Sequence, residues 1–353
     1  RYHGVTGVQT CALPILIRSY TIGSLKDIDL FPFLERVQFT LNSRMAPQKR
    51  KTVEALRKIR FSNTEVYVHY DFLRTIPRYL IMTDLGKKSM ITEIVDLIEY
   101  SYEQPNLKGV VIHMDTAFKK EMMADLTCNG YSDQSLERAC KKHVISTMYK
   151  SNVEVLDIVK KNRPEGTGGK FKSLGQEFLH NWYTSSVNEF YLDLKNECLL
   201  RGLDLNKPHA LVYLENTTHI LTGGLDPKVD CVAGSLKHNV VLTASKFDLL
   251  GVCWDLEHGY AANDEDISVE ALKDAHIINK NLLIHLNCIE KGVTKGSMKD
   301  RHSLTTVFEC SVYEVKYYDE LIQMLDYYKI PYIREVKSET MEREMMQQTK
   351  YSS

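Results

Sequence analysis

Short apolar runs rich in Val, Ile and Leu recur along the chain, with stretches of helical spacing between them. Runs of this kind are typical of parallel strands buried on both faces, and the helical stretches supply the crossovers. Eight are recognisable: LIRSYTIG from Leu16, RVQFTLN at 36–42, TEVYVH, LKGVVIH, ALVYLE, LLGVCWD, LLIHLN and IPYIRE. KDIDLFPFLE reads as a short helix broken around Pro32, and KRKTVEALRKIR at 49–60 as a strongly basic helix. The segment KKSMITEIVDLIEYSYEQ sets Ile91, Ile94, Val95 and Ile98 on one helical stripe that Pro105 closes. Further helices are predicted at 269–279 and over VKYYDELIQMLDYYK. Eight strands alternating with helices predict an α/β fold, a closed (β/α)8 TIM barrel.

One crossover is too long for a single helix. Residues 117–205 form a helical insertion after strand four, with helices predicted at 135–148, 153–161 and 176–200. Its RPEGTGGKFKSLG segment contains GTGGK, but this follows a helix rather than a strand and reads as a Gly-rich hinge, not a phosphate loop. GVTGVQTCALPI, at 4–15, resembles a translated adapter, so 1–15 is set aside as non-native. The barrel domain is expected over 16–338, and 339–353 as a C-terminal tail that is a final helix or frayed.

Composition narrows the class only a little. The 353 residues are 43% hydrophobic and 26% charged, enough for a substantial core, and no run reaches the roughly 18 apolar residues of a membrane span. A formal charge of −1 does not announce a nucleic-acid partner, though bound cations would change the sign of the binding face. The eight cysteines, without a CxxC, suggest reduced thiols and an intracellular setting, cytoplasm or nucleus.

The strand ends carry the chemistry. His69, His113, Glu215, Asp255, His285 and Glu335 each stand at or next to the end of an apolar run. In a β/α barrel those ends meet at one rim. DLEH adds His258 three residues after Asp255, and KGSMKDRH adds Asp300 and His302. Nine nitrogen and oxygen donors without a thiolate exceed what one zinc takes, so two or three divalent ions are expected. His143, His180, His209, His219, His238 and His276 are read as ordinary core or surface residues.

VHYDFL, GVVIH, YLENT, GVCWDLEHGYAA, HLN, GSMKDRH and YIRE, in that order, resemble the endonuclease IV family of apurinic/apyrimidinic endonucleases. The resemblance covers most of 16–336 apart from the insertion, and HLN followed by GS-x-x-DRH is its most specific part. It implies a TIM barrel with three Zn2+ that cleaves DNA 5′ to abasic sites in base-excision repair. One ion would take His69 and His113, a second Asp255, His285 and Glu335, and a third His258, Asp300 and His302, with Glu215 bridging the first two. Glu215, Asp255 and Glu335 would be the catalytic carboxylates; Phe72, Leu73 and Arg44 would enter the duplex at the lesion, and Arg301 would reach phosphate. The implied partner is double-stranded DNA containing abasic sites, with no membrane and no second subunit. The family's DTCH stands here as DLEH, which keeps both ligands, and Met298 replaces a residue that is usually polar. Two alternatives remain at this point: a sugar isomerase or epimerase barrel with one or two metals, and a DNA-binding barrel without catalysis.

Overall fold

The computed structural model describes residues 19–22, 34–41, 64–70, 84–113, 116–118, 132–135, 137–138, 144–146, 176–215, 247–257, 269–286, 312–336 and 338–351. Its elements in chain order are β1 (Ser19–Ile22), β2 (Arg36–Leu41), β3 (Glu65–Tyr70), α1 (Asp84–Glu103), β4 (Leu107–His113), β5 (Thr116–Phe118) and β6 (Val144–Ser146). They continue with α2 (Gln176–Leu200), β7 (Leu211–Glu215), β8 (Leu250–Asp255), α3 (Val269–Ile278), β9 (Leu282–His285), α4 (Val312–Tyr328), β10 (Tyr332–Ile333) and α5 (Ser338–Tyr351).

Eight strands pair in parallel in the order β1-β2-β3-β4-β7-β8-β9-β10. The sheet then closes on itself. Tyr20 of β1 bridges Arg334 just past β10, with Thr21 N–H donating to Arg334 O at 3.0 Å and Arg334 N–H to Ser19 O at 2.8 Å. Eight parallel strands closed in this way, with helices between them, are the (β/α)8 barrel that the alternating pattern predicts.

Each strand buries both faces, which is why its sequence reads as a continuous apolar run. Outward-facing Val66, Val68, Val110, Ile112, Val212, Leu214, Val252 and Ile284 are fully shielded by the helical layer. On α1 the stripe Ile91, Ile94, Val95 and Ile98 is likewise buried. Ser101 ties α1 to the sheet: its hydroxyl donates to Ile98 O at 2.6 Å and accepts the Ala210 N–H at 2.8 Å, just before β7.

Inside the barrel the side chains form layers. Tyr67, Val111, Tyr213, Cys253, Leu283 and Ile333 fill the middle. Tyr67 and Tyr213 are the largest occupants, and Tyr213 fits because both neighbouring strands carry glycine against its ring. A Cβ at Gly109 would lie 2.5 Å from Tyr213 Cε2, and one at Gly251 would lie 2.7 Å from both the ring and the Asn281 carbonyl oxygen. The collision at Gly251 involves backbone and cannot be relieved by rotating a side chain. Gly251→Ala is therefore expected to cost about 1–3 kcal/mol of stability through overpacking, read as a lowered urea midpoint at unchanged slope.

One predicted element is corrected. The helix expected over 135–148 contains β6, whose Val144–Ser146 pairs antiparallel with Thr116–Phe118 in a two-stranded ribbon. Val144 and Ile145 are β-branched and favour the pleated conformation once a partner strand is present. The helices expected around Pro32, at 49–60 and at 153–161, the GTGGK loop and residues 4–15 lie outside the described residues. Among the described residues no helix is long and apolar enough to cross a membrane.

Candidate metal centre

Strand alternation decides which side chains enter the barrel. Glu215 and Tyr213 share one face of β7, Asp255 and Cys253 share one face of β8, and His285 and Leu283 share one face of β9. Because Tyr213, Cys253 and Leu283 fill the interior, the residues two positions further on stand in the next layer up, at the C-terminal rim.

There four donors converge. One ligand atom from each of Glu215, Asp255, His285 and Glu335 lies within 4.8 Å of the others. His285 Nδ1 is 2.9 Å from Glu215 Oε1, 3.3 Å from Glu335 Oε2 and 3.7 Å from Asp255 Oδ2. The second oxygen of Glu215 turns the other way and meets His69 Nε2 at 2.8 Å. A single carboxylate thus joins two imidazoles whose ring centres stand 6.0 Å apart. Asp255 and His285 are fully buried, Glu215 almost so, and His69 is 8% exposed.

Three carboxylates packed this closely repel one another, and buried Glu215 and Asp255 have lost their hydration. Positive charge among them relieves both costs. His285 supplies part of it: burial alone would lower its pKa, but the Glu215 and Glu335 carboxylates around it and its hydrogen bond with Asp255 raise it well above the ordinary value. A divalent cation would supply more. Oxygen donors plus an imidazole at this spacing fit such an ion, zinc among them.

A proton count follows from that balance. A raised imidazole pKa stabilises the metal-free fold below the unfolded value of about 6.5, and this contribution is lost as pH rises through the folded value. A cation that takes the His285 nitrogen must displace its proton. Zinc binding at a pH below the folded value is therefore expected to release a proton from His285. Calorimetric titrations in two buffers of different ionisation heat measure this, and identical apparent enthalpies would count against it.

The structure brings together His69, Glu215, Asp255, His285 and Glu335. His113 ends β4 in register with Glu215, at the same height on the rim. His258, Asp300 and His302 lie outside the described residues, as do Arg44, Phe72, Leu73 and Arg301.

Two further groups touch the site that sequence reading did not single out. The Cys253 thiol forms a second possible ligand group with Glu215 and His285, one ligand atom of each lying within 4.8 Å of the others. Burial pushes its pKa up to about 12, so without a metal it is a neutral thiol. Its signal in the sequence was the two-residue spacing to Asp255, which places both on one face. The other is Gln38 of β2, whose Oε1 lies 3.0 Å from His285 Nε2. Nothing local to β2 marks it.

No protein-family model matches the chain, and no curated protein matches it. Among solved structures, the crystal structure of AsfvAP:AG is similar over 93% of this chain and 87% of its own, at 14% identity and a TM-score of 0.44. The crystal structure of a D-tagatose 3-epimerase-like protein is similar over 95% of this chain and 97% of its own, at 14% identity and a TM-score of 0.48. The fold assignment rests on the strand order and closure of this chain itself.

Proposed function

We propose that the chain is a zinc-dependent endonuclease that hydrolyses the phosphodiester bond 5′ to abasic sites in double-stranded DNA, a step of base-excision repair. The observation that carries this reading is Glu215 joining His69 to the group formed by Asp255, His285 and Glu335. A site for one ion needs only the second group. A carboxylate with one oxygen on each side suits a centre of more than one ion, the arrangement used for in-line displacement at phosphate.

In this reading Asp255, His285 and Glu335 would hold one ion, His69 and His113 another, and His258, Asp300 and His302 a third, with Glu215 available to the first two. Bound zinc would supply Lewis acidity at the phosphate and a nucleophile near neutral pH. The remaining work falls to the chain. Buried Glu215 and Asp255 hold their carboxylates in fixed positions, so little reorganisation is needed at the moment of reaction. Phe72 and Leu73, directly after the β3 segment that bears His69, would wedge the gap left by the missing base, and Arg44 would enter beside them. An abasic nucleotide is already unstacked, so extruding it costs least there. Arg301 would meet phosphate.

A second reading has one observation in its favour. The four donors within 4.8 Å would by themselves hold one of the one or two ions that a metal-dependent sugar isomerase or epimerase requires. The Asp300 and His302 pair counts against it, because those donors would serve a third ion that such an enzyme does not need. The deciding experiment incubates the purified chain with a duplex carrying one abasic analogue, with zinc and with chelator. Cleavage 5′ to the lesion that chelator stops supports the endonuclease; an uncut duplex with zinc bound contradicts it. Phe72→Ala is expected to lower the preference for abasic over intact duplex by roughly 5–150-fold, given about 1–3 kcal/mol for an aromatic contact with a base. Equal preference in the two proteins removes the wedge role.

A further inference from the structure

We propose that Gln38 is a positioning residue of the metal centre: its side-chain carbonyl accepts the Nε2–H of His285 and so leaves Nδ1 as the nitrogen that meets the cation. The inference rests on the metal-centre reading above and adds a residue to it.

The geometry is specific. Gln38 and His285 are both fully buried, and Gln38 Oε1 stands 3.0 Å from His285 Nε2. The opposite nitrogen, Nδ1, faces Glu215, Asp255 and Glu335. A neutral imidazole carries one N–H. Placed on Nδ1, that proton would occupy the position where a cation must bind, and the lone pair would point uselessly at Gln38. An acceptor at Nε2 selects the other tautomer. The Gln38 amide is itself oriented by the neighbouring strand, where its Nε2 donates to Thr21 Oγ1 at 3.5 Å. In register, Gln38 pairs with Thr21 on one side and Tyr67 on the other, so it reaches into the barrel from the strands opposite β9.

The residue type also fits. Histidine ligands are commonly oriented by carboxylates. Here a carboxylate would add another negative charge to a buried site that already holds those of Glu215, Asp255 and Glu335. A neutral amide oxygen gives the same direction without that repulsion.

The test compares Gln38→Leu, which keeps the volume but removes the acceptor, with Gln38→Glu, which keeps an acceptor oxygen. Zinc affinity is measured by competition with a chromophoric chelator. Thermal midpoints are recorded alongside, and the His285 ring nitrogens are read by 15N NMR in zinc-loaded and metal-free protein. Gln38→Leu is expected to weaken zinc binding about 10–100-fold and to abolish the hydrogen-bonded Nε2–H signal of His285. Gln38→Glu should match or exceed the parent affinity while lowering the metal-free midpoint. Unchanged affinity in Gln38→Leu overturns the inference. So does an equal loss in both variants that tracks their thermal midpoints, because that result marks a packing residue. A parent chain that takes no zinc overturns the metal-centre reading instead, and the Nε2–H signal in the metal-free protein still reports whether Gln38 holds the ring.

Discussion

Asp255→Ala is expected to abolish cleavage of an abasic duplex while the barrel stays folded. Residues that merely orient a ligand cost about 10–100-fold when removed, so loss of a direct ligand should exceed that, on the order of 10³-fold. The fold does not depend on this carboxylate. Asp255 terminates β8 on the rim layer, above the packed layer of Tyr67, Tyr213, Cys253 and Leu283 that holds the barrel together. Its carboxylate sits among Glu215, His285 and Glu335. Asp255→Asn, which keeps the volume, should lose zinc affinity while the metal-free chain still unfolds in one cooperative transition. Activity lost together with the fold would mean that Asp255 is structural, and retained cleavage would refute its assignment.

The second large effect lies on the outer side of the same rim. Arg334 precedes Glu335, so alternation turns its side chain away from the metal centre and into the layer behind the sheet. It is fully buried there, with Nε donating to Glu344 Oε2 of α5 at 3.3 Å and Nη1 to the Leu286 carbonyl at 3.1 Å. Helix α5 is further held by Gln348, which donates to the Tyr20 hydroxyl at 2.9 Å. These bonds clamp α5 over the seam where β1 meets β10. Glu344→Ala would strand a guanidinium in the interior and is expected to cost about 3–5 kcal/mol. Replacing both partners by methionine should cost far less, because a buried ion pair exchanged for apolar side chains of similar size is often neutral. Chemical denaturation of the single and double variants separates the two cases. A Glu344→Ala chain as stable as its parent would show that α5 does not seal the barrel.

The strands were legible because a sheet covered on both faces demands continuous apolar runs, and seven of the eight begin and end close to the predicted segments. The meeting of Glu215, Asp255, His285 and Glu335 was legible for a related reason: closure brings strand ends to one rim, whatever their separation in sequence. What pairs across the barrel was not legible. Gln38 and His285 are 247 positions apart, and a glutamine inside RVQFTL gives no local sign of its partner. Tyr213 needs Gly109 and Gly251 beside it only because of strand register, which periodicity does not specify. The 135–148 prediction failed at Val144–Ser146 because helical spacing was weighed without the distant strand that pairs with it. The buried role of Arg334 depends on a helix that follows it in the chain, which a residue at a strand end does not announce.

Elemental analysis of the purified chain, after dialysis against trace-metal-free buffer, tests the account most directly. About three zinc per chain are expected in the parent, with at least one fewer in Asp255→Asn. A parent that retains no tightly held divalent ion, or an Asp255→Asn protein with undiminished content, would contradict the assignment of the barrel rim as a metal centre.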